Sequence, residues 1–261
     1  NEDDPRDDED VITSASGGVI LNEPDFAVYV RNYHPPDPSL DKVDGFWRWE
    51  DKWPIERIEN LSLYAQADHT LSIESNENTT HNITYKPSIG LEGGGPTMWW
   101  GSIAPDQKPM DEFSLVYDSG ILDAPHEILG RPIAKLRVSA DAPRANWVVR
   151  LSDVAPDGKV TQVVGAAFNG THRISAREPS DIVPGEEFDL SIELHFTSWV
   201  FPKGHKIRMS ITNAIWPMLW PTPMQMETST SVNGKMTARP GKEPTLGQME
   251  GNTSVNSRIT K

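Results

Sequence analysis

The sequence has 261 residues, of which 36% are hydrophobic, and it carries a formal net charge of −14 at pH 7. A surface this acidic repels phosphate backbones and anionic headgroups, which argues against nucleic acids and membranes as partners. The chain contains no Cys, which excludes disulfides, thiolate metal sites and cysteine nucleophiles and leaves the redox compartment open.

Residues 1–23 are predicted to form a flexible acidic segment. The opening run NEDDPRDDED is almost entirely acidic or polar, a composition with too little apolar surface to fold alone. Its spacing does not match the Asp-x-Asp-x-Asp-Gly pattern of a calcium loop. The sequence starts at Asn1 rather than Met and shows no signal-peptide pattern. We therefore expect a piece of a longer protein, cytoplasmic rather than secreted or periplasmic.

Short segments that alternate apolar and polar residues run along the chain from residue 24. In the first, Phe26, Val28 and Val30 share one face, as in a half-buried strand. Three prolines at residues 35–38 exclude a helix in the loop that follows. Shorter strand-like pieces come next, at residues 60–64, 71–73 and 83–85. The Gly-Gly-Gly-Pro run at residues 93–96 then interrupts regular structure and lacks the Lys-Ser/Thr pair that completes a phosphate-binding loop.

The second half of the chain is more regular. Strand candidates lie at residues 114–117, 133–139, 147–152, 160–164, 188–196 and 207–211. Tight turns are predicted at residues 157–158, 184–185 and 203–204, each of which ends in Gly. No segment longer than about ten residues shows the 3.6-residue period of an amphipathic helix. We therefore predict an all-β fold, an antiparallel β-sandwich of the jelly-roll type over residues 24–231, followed by a loosely ordered C-terminal arm over residues 232–261.

Motifs that carry catalytic or metal chemistry are missing from the sequence. There is no Gly-x-Ser-x-Gly elbow of an α/β-hydrolase and no Gly-x-Gly-x-x-Gly loop after a strand. His126-Glu127 lacks the second histidine of a zinc-binding His-Glu-x-x-His motif. The seven histidines are dispersed along the chain. We therefore predict no catalytic residue, no metal site and no cofactor.

Five residues are candidates for contact with a ligand or a neighbouring domain. Trp99 and Trp100 form an aromatic pair that could stack on a sugar, but we favour a role in closing the core or contacting a partner domain. Trp216 and Trp220 belong to the apolar segment Trp-Pro-Met-Leu-Trp-Pro, which would mark an interface if it is exposed. His34, within the proline-rich loop, is the histidine best placed for a surface contact.

A series of motifs runs through the second half of the chain. They are Asp-Gln at 106–107, Glu-Phe-Ser-Leu-Val-Tyr-Asp-Ser at 112–119, Ile-Leu-Gly-Arg-Pro at 128–132, Leu-Arg-Val-Ser-Ala-Asp-Ala-Pro at 136–143, Val-Arg-Leu-Ser-Asp-Val-Ala-Pro-Asp-Gly at 149–158, Val-Pro-Gly at 183–185, Phe-Pro-Lys-Gly-His-Lys-Ile-Arg at 201–208 and Leu-Trp-Pro-Thr-Pro at 219–223. In order and spacing they resemble the C-terminal domain of the X-Pro dipeptidyl-peptidase and cocaine-esterase (CocE/NonD) family of serine hydrolases. The resemblance covers residues 24–231.

The resemblance implies a role within a larger enzyme. In that family an N-terminal α/β-hydrolase domain holds the Ser-His-Asp triad, a helical cap shapes the substrate pocket, and the jelly roll packs against both. No triad position falls in the region that this chain resembles. The resemblance therefore implies a non-catalytic domain of an ester or amide hydrolase, inactive alone, whose partner is an α/β-hydrolase catalytic domain in the same longer chain or on a separate one. A homo-oligomer also stays open.

The alternative is a stand-alone module that binds carbohydrate or another ligand. Jelly rolls of this kind resemble galactose-binding-type sandwiches, which often hold sugars. Trp99 and Trp100 would then be the stacking platform.

Overall fold

The structure, a computed structural model, describes residues 24, 26–75, 80–87, 105–220 and 229–239, the last range through its backbone. The strands are β1 (Phe26–Arg31), β2 (Gly45–Glu50), β3 (Ser62–Ala65), β4 (Thr70–Ser72), β5 (His81–Thr84), β6 (Leu115–Ser119), β7 (His126–Ala140), β8 (Asn146–Val154), β9 (Val160–Asn169), β10 (Phe188–Glu193), β11 (Thr197–Phe201), β12 (Lys206–Thr212) and β13 (Ser229–Arg239). A short helix, α1 (Lys108–Asp111), precedes β6. The all-β prediction is confirmed, whereas the jelly-roll connectivity stays a prediction. Within the described ranges, no helix is long and apolar enough to cross a membrane.

The strands form a hairpin and a large curled sheet. β1 and β2 pair antiparallel, and the larger sheet follows the order β10-β7-β13-β3-β4-β6-β12-β8-β9, with β11 added on β7 and β5 on β13. The pairs within it are antiparallel except β4 with β6. β7 changes partner along its length, since residues 126–130 pair with β11 and residues 133–138 pair with β10. Gly130 marks this change with a φ of +132°, a conformation that residues with a Cβ rarely adopt.

The core consists of the inward-facing apolar residues of strands from both parts of the chain. Ala134, Leu136 and Val138 of β7 are buried, as the sequence predicts. With side chains of β10 and β11 they belong to one apolar cluster that includes residues of β6, β8 and β12. Trp147 of β8 and Trp199 of β11 are fully buried in it. Removal of either indole would cost about 3–5 kcal/mol, so these two large side chains are central to the stability of the fold.

The predicted turns connect the strands that the sequence assigns to them. Gly158, Gly185 and Gly204 all have φ angles near +80° to +90°, at +83°, +80° and +88°. The turn at residues 157–158 joins β8 to β9, which pair antiparallel with a bulge between Leu151 and Ser152. The turn at residues 203–204 leads into β12. These turns bring the loops after β6, β8 and β11 to one end of the sheet.

The predicted boundary after Ser231 falls inside a strand. β13 continues to Arg239 and pairs with β7 from Thr230 to Arg239, so residues 232–239 belong to the sheet and not to a loose arm. The sequence of β13 is mostly polar, so an apolar pattern does not identify it as a strand. Its backbone pairs with the neighbouring strands through hydrogen bonds. Residues 1–23 and 240–261, to which the flexible segment and the rest of the arm were assigned, lie outside the described residues.

Candidate functional site

A buried acid–base centre lies at the end of the core near the loops after β8 and β11. The indole Nε1–H of Trp199 donates to Oδ2 of Asp153 at 2.9 Å, and His205 Nδ1 lies 2.7 Å from Oδ1 of the same carboxylate. Because an ionised carboxylate only accepts hydrogen bonds, His205 is the donor through Nδ1–H. Burial raises the pKa of Asp153, and the two hydrogen bonds act against that rise. The carboxylate is thus held by two donors from two other strands or turns.

The strand register explains why Asp153 faces inward. Val149 and Leu151 of β8 point into the core, and Asp153 follows them in the same alternation. Asp153 is paired with Ile207 of β12, next to His205. The indole comes from β11. Three separate segments therefore converge on one carboxylate, which fixes the β8 and β12 ends to each other and to β11.

The loop after β1 covers this centre. The ring of Tyr33 meets that of His205 edge-on at 4.5 Å, and the ring of His34 lies 5.2 Å from that of Trp199. Arg31 lies over the Trp199 ring at 5.1 Å and donates from Nη2 to Thr197 Oγ1 at 2.7 Å. His34 is thus a half-buried packing residue of this centre.

An Asp–His pair resembles part of a hydrolase triad, so its catalytic competence needs a test. Catalysis would require a hydroxyl within hydrogen-bond reach of the second ring nitrogen, together with donors for an oxyanion. No hydroxyl of the described residues forms a hydrogen bond with His205, whose ring instead meets Tyr33. Asp153 is also fully buried. The geometry is that of a packing centre that joins β8, β11 and the turn before β12.

A second charged centre lies on the outer face of the same strands, beneath α1. The guanidinium of Arg150, fully buried, donates to Asp111 Oδ1 at 2.7 Å and to Gln107 Oε1 at 3.0 Å. Arg208 donates to Asp111 Oδ2 at 3.0 Å and makes two further bonds to Asp118, at 2.6 and 2.8 Å. Two arginines and two aspartates balance one another, as buried charges must. This network anchors α1 on the sheet.

A third polar group stacks beside β6. The rings of His69 and His81 are parallel, with centroids 4.2 Å apart, and the Tyr117 hydroxyl lies 2.7 Å from His81 Nδ1. Burial, and then the neighbouring His69, lower the pKa of His81. Both effects favour the neutral form of the His81 ring. Among the described residues, no three His, Asp or Glu side chains are grouped as metal ligands.

The five predicted contact residues do not form one site. Trp216 and Trp220 meet edge-to-face, with ring centroids 5.0 Å apart and an interplanar angle of 88°. Trp220 is 77% exposed, and a hydrogen bond from Leu219 N to Ile215 O closes the turn between the two rings. Trp99 and Trp100 lie outside the described residues. The structure therefore brings Trp216 and Trp220 together at the surface and places His34 elsewhere, against Trp199.

The sequence did not single out Asp153, Trp199 or Arg31. A weak signal existed for the first, because Asp153 continues the apolar alternation of β8 and a charged residue at a core position must find a partner. No local pattern identifies Trp199 or His205 as that partner. They lie 46 and 52 residues further along the chain, so the contact depends on which strands meet.

Comparison with known proteins identifies the chain's relatives. It matches the family model of the X-Pro dipeptidyl-peptidase C-terminal non-catalytic domain over residues 18–253. It is 26% identical over 204 residues to a protein of Mycobacterium bovis named as a serine esterase, covering 69% of this chain and 32% of that protein. It is 27% identical over 186 residues to the cocaine esterase of a Rhodococcus species, covering 66% and 32% respectively.

A solved structure supports the same fold. An α-amino acid ester hydrolase superposes with a TM-score of 0.64 at 20% identity, over 75% of this chain and 39% of that one. The chain spans about a third of the length of the curated relatives it matches. Since the family model covers most of its residues, the chain belongs to the family of X-Pro dipeptidyl-peptidase C-terminal non-catalytic domains.

Proposed function

We propose that the chain serves as the non-catalytic C-terminal domain of a serine ester or amide hydrolase, where it packs on the α/β-hydrolase catalytic domain and helps to shape the substrate cleft. The observation that carries the proposal is the family match over residues 18–253, in a chain that spans about a third of its curated relatives. Those relatives are named as a serine esterase, a cocaine esterase and an Xaa-Pro dipeptidyl-peptidase.

The geometry of the described residues supports a non-catalytic role. Within the described residues, no hydroxyl bonds to the Asp153–His205 pair, which packs against Trp199 and Tyr33. Chemistry would therefore come from the partner domain, whose Ser-His-Asp triad lies outside the part of the family that this chain matches. This domain contributes a rigid surface.

The docking surface in this proposal is the Trp turn, residues 215–220. Its inner side is fixed, because Ile215, Met218 and Leu219 pack in an apolar cluster with Phe113. Its outer side presents Trp220, 77% exposed. A large aromatic side chain held rigidly at the surface loses little conformational entropy on binding and is typical of interface hot spots.

The carbohydrate-binding alternative is less well supported. Its stacking platform, Trp99 and Trp100, lies outside the described residues, and the matched relatives are named as hydrolases. The comparisons therefore do not favour it.

The test begins with the reading frame that encodes this chain and the frames next to it, where the proposal expects an α/β-hydrolase domain with a Gly-x-Ser-x-Gly elbow. That domain and this chain are produced as separate polypeptides, and their association is measured by analytical ultracentrifugation. Trp220→Ser is expected to weaken association at least about tenfold, as the loss of a hot-spot aromatic does.

Ile174→Ser is the matched control, because Ile174 is an apolar residue 74% exposed elsewhere on the surface. It should change the association constant by less than about twofold. The lack of any such hydrolase domain, or equal weakening by both substitutions, would contradict the proposal.

A further inference from the structure

A basin lies on the outer face of the sheet, above β6, β12 and the end of β8. Its volume is about 420 Å³, within the range of about 300–1,000 Å³ typical of small-molecule sites. The loops after β6, β8 and β11 form its rim, and α1 closes one side. Two of the motifs that carry the family resemblance, residues 149–158 and 201–208, supply most of its lining. Neither a catalytic role nor the Trp turn explains this concavity.

The basin carries an excess of positive charge. Lys108 and Lys206 line it, and neither forms an ion pair with any described residue. The other two charges of the lining, Arg208 and Asp118, neutralise each other through two hydrogen bonds. Two uncompensated ammonium groups therefore face one concavity in a chain whose net charge is −14.

Two acidic residues close to the rim, Asp106 and Asp157, are engaged with other groups. Asp106 Oδ1 accepts hydrogen bonds from the backbone N–H groups of Lys108 and Val160, both at 3.0 Å. Asp157 accepts from the backbone N–H of Lys159 and forms an ion pair with the same residue at 3.3 Å. Among the residues that the structure describes, neither lysine of the basin forms an ion pair with a carboxylate.

The walls of the basin are rigid. A hydrogen bond from Gly204 N to Leu122 O, at 2.8 Å, and another from Leu122 N to His205 O, at 2.9 Å, join the loop after β6 to the turn before β12. The Asp153–His205 hydrogen bond also joins that turn to the end of β8. A site whose walls are fixed in advance binds its ligand without the cost of ordering loops.

One side of the basin is apolar. Ile121, 69% exposed, lines the concavity together with Pro156 and Ala155. A ligand that fits must therefore combine a negative charge, for the lysines, with an apolar group for this wall.

We propose that the basin binds a small organic anion, a carboxylate attached to an apolar group. Lys108 and Lys206 hold the carboxylate by charge-assisted hydrogen bonds, and the apolar group lies against Ile121 and Pro156. The inference concerns this chain alone and holds whether or not the Trp turn docks on a catalytic domain.

The test uses benzoate as the probe and follows the amide resonances of Gly158 and Gly204, which lie in the lining, by ¹H–¹⁵N NMR. Saturable shifts are expected with a dissociation constant on the order of 1 mM, reasonable for a ligand of this size. Lys108→Ala and Lys206→Ala are each expected to weaken binding about fivefold, and the double variant to abolish the shifts. Lys42→Ala, an exposed lysine on the loop after β1, is the matched control and should leave binding unchanged.

Two further probes separate the two halves of the proposal. Benzamide, which has the shape of benzoate without the charge, should not shift these resonances, and inorganic phosphate should bind more weakly than benzoate. The proposal is overturned by the absence of saturable benzoate shifts, by equal binding of benzamide or tighter binding of phosphate, or by benzoate binding that survives in the double variant. Far-UV circular dichroism of each variant verifies that the fold is intact.

Discussion

At the scale of single residues, one buried carboxylate holds several segments together. Asp153 accepts hydrogen bonds from Trp199 and His205, and these donors come from β11 and from the turn before β12. Neither donor has another hydrogen-bond partner among the described residues, so each depends on this carboxylate. A buried N–H group without an acceptor lacks the hydrogen bond that water would give it in the unfolded chain, and this loss destabilises the fold.

Asp153→Ala should therefore be among the more destabilising substitutions in the chain. It leaves two buried N–H groups unpartnered, and we expect the free energy of unfolding to fall by roughly 2–5 kcal/mol. The measurement is urea denaturation followed by tryptophan fluorescence. Asp189→Ala is the control, because its ion pair with Arg137 is exposed, and it should cost no more than about 1 kcal/mol. Equal losses for the two variants would contradict the assigned role of Asp153.

The stacked histidines make a prediction about pH. The folded-state pKa of His81 is lowered by burial and by His69, whereas an unfolded histidine titrates near about 6.5. The folded state thus favours neutral His81, so this stability is present above about pH 6.5 and is lost as the pH falls below that value. Tyr117 and the backbone carbonyl of Ala67 face His81, and Asp68 faces His69.

Wild type should lose more stability than His81→Gln when the pH falls from about 7.5 to about 5.5, because glutamine has no proton to gain in this range. Thermal unfolding at a series of pH values gives the comparison. Parallel curves for the two proteins would show that His81 titrates alike in the folded and unfolded states, against this account.

At the scale of elements, the strands follow from the sequence more directly than the contacts between them. The alternation in residues 188–196 predicts β10, although the strand itself ends at Glu193. The glycines at residues 158 and 204 predict the turns next to β8 and β12. β13 was predicted only in part. Val232, Gly234, Met236 and Ala238 do alternate with polar residues, but the pattern is too weakly apolar to identify a strand without its neighbours β7 and β3.

The turn after β9 illustrates how tightly an element can be packed. Gly170 begins a short 3₁₀ turn at residues 170–172, where a Cβ would lie 2.8 Å from Ile182 Cδ1, 3.0 Å from the Ala145 carbonyl oxygen and closer still to the Trp147 ring. Gly170→Ala should lower the free energy of unfolding by roughly 2 kcal/mol, since the indole is fully buried and cannot move aside. Gly120→Ala, where a Cβ meets nothing within 4 Å, should change it by less than about 0.5 kcal/mol. Differential scanning calorimetry of both variants measures these changes. A Gly170→Ala variant as stable as the wild type would contradict the packing described.

At the scale of the whole molecule, the fold class and the family could be predicted, but the polar centres could not. Fold class depends on local periodicity, which a single sequence displays. The Asp153–Trp199–His205 centre and the Arg150–Asp111–Arg208 network depend on which strands become neighbours, and that information is spread over long sequence separations. Trp216 and Trp220 were predictable as a pair because five consecutive residues of one turn carry both rings.

We expect this domain to have no hydrolytic activity of its own, and an assay of the purified chain measures that property directly. It should be offered p-nitrophenyl esters and X-Pro anilides, with and without a serine-directed inhibitor, and tested for covalent labelling by a fluorophosphonate. No turnover above the buffer rate and no label on the chain are expected, because Asp153 and His205 are a buried packing pair without a nucleophile among the described residues. Turnover that the inhibitor abolishes, together with stoichiometric labelling of a serine in this chain, would contradict that expectation.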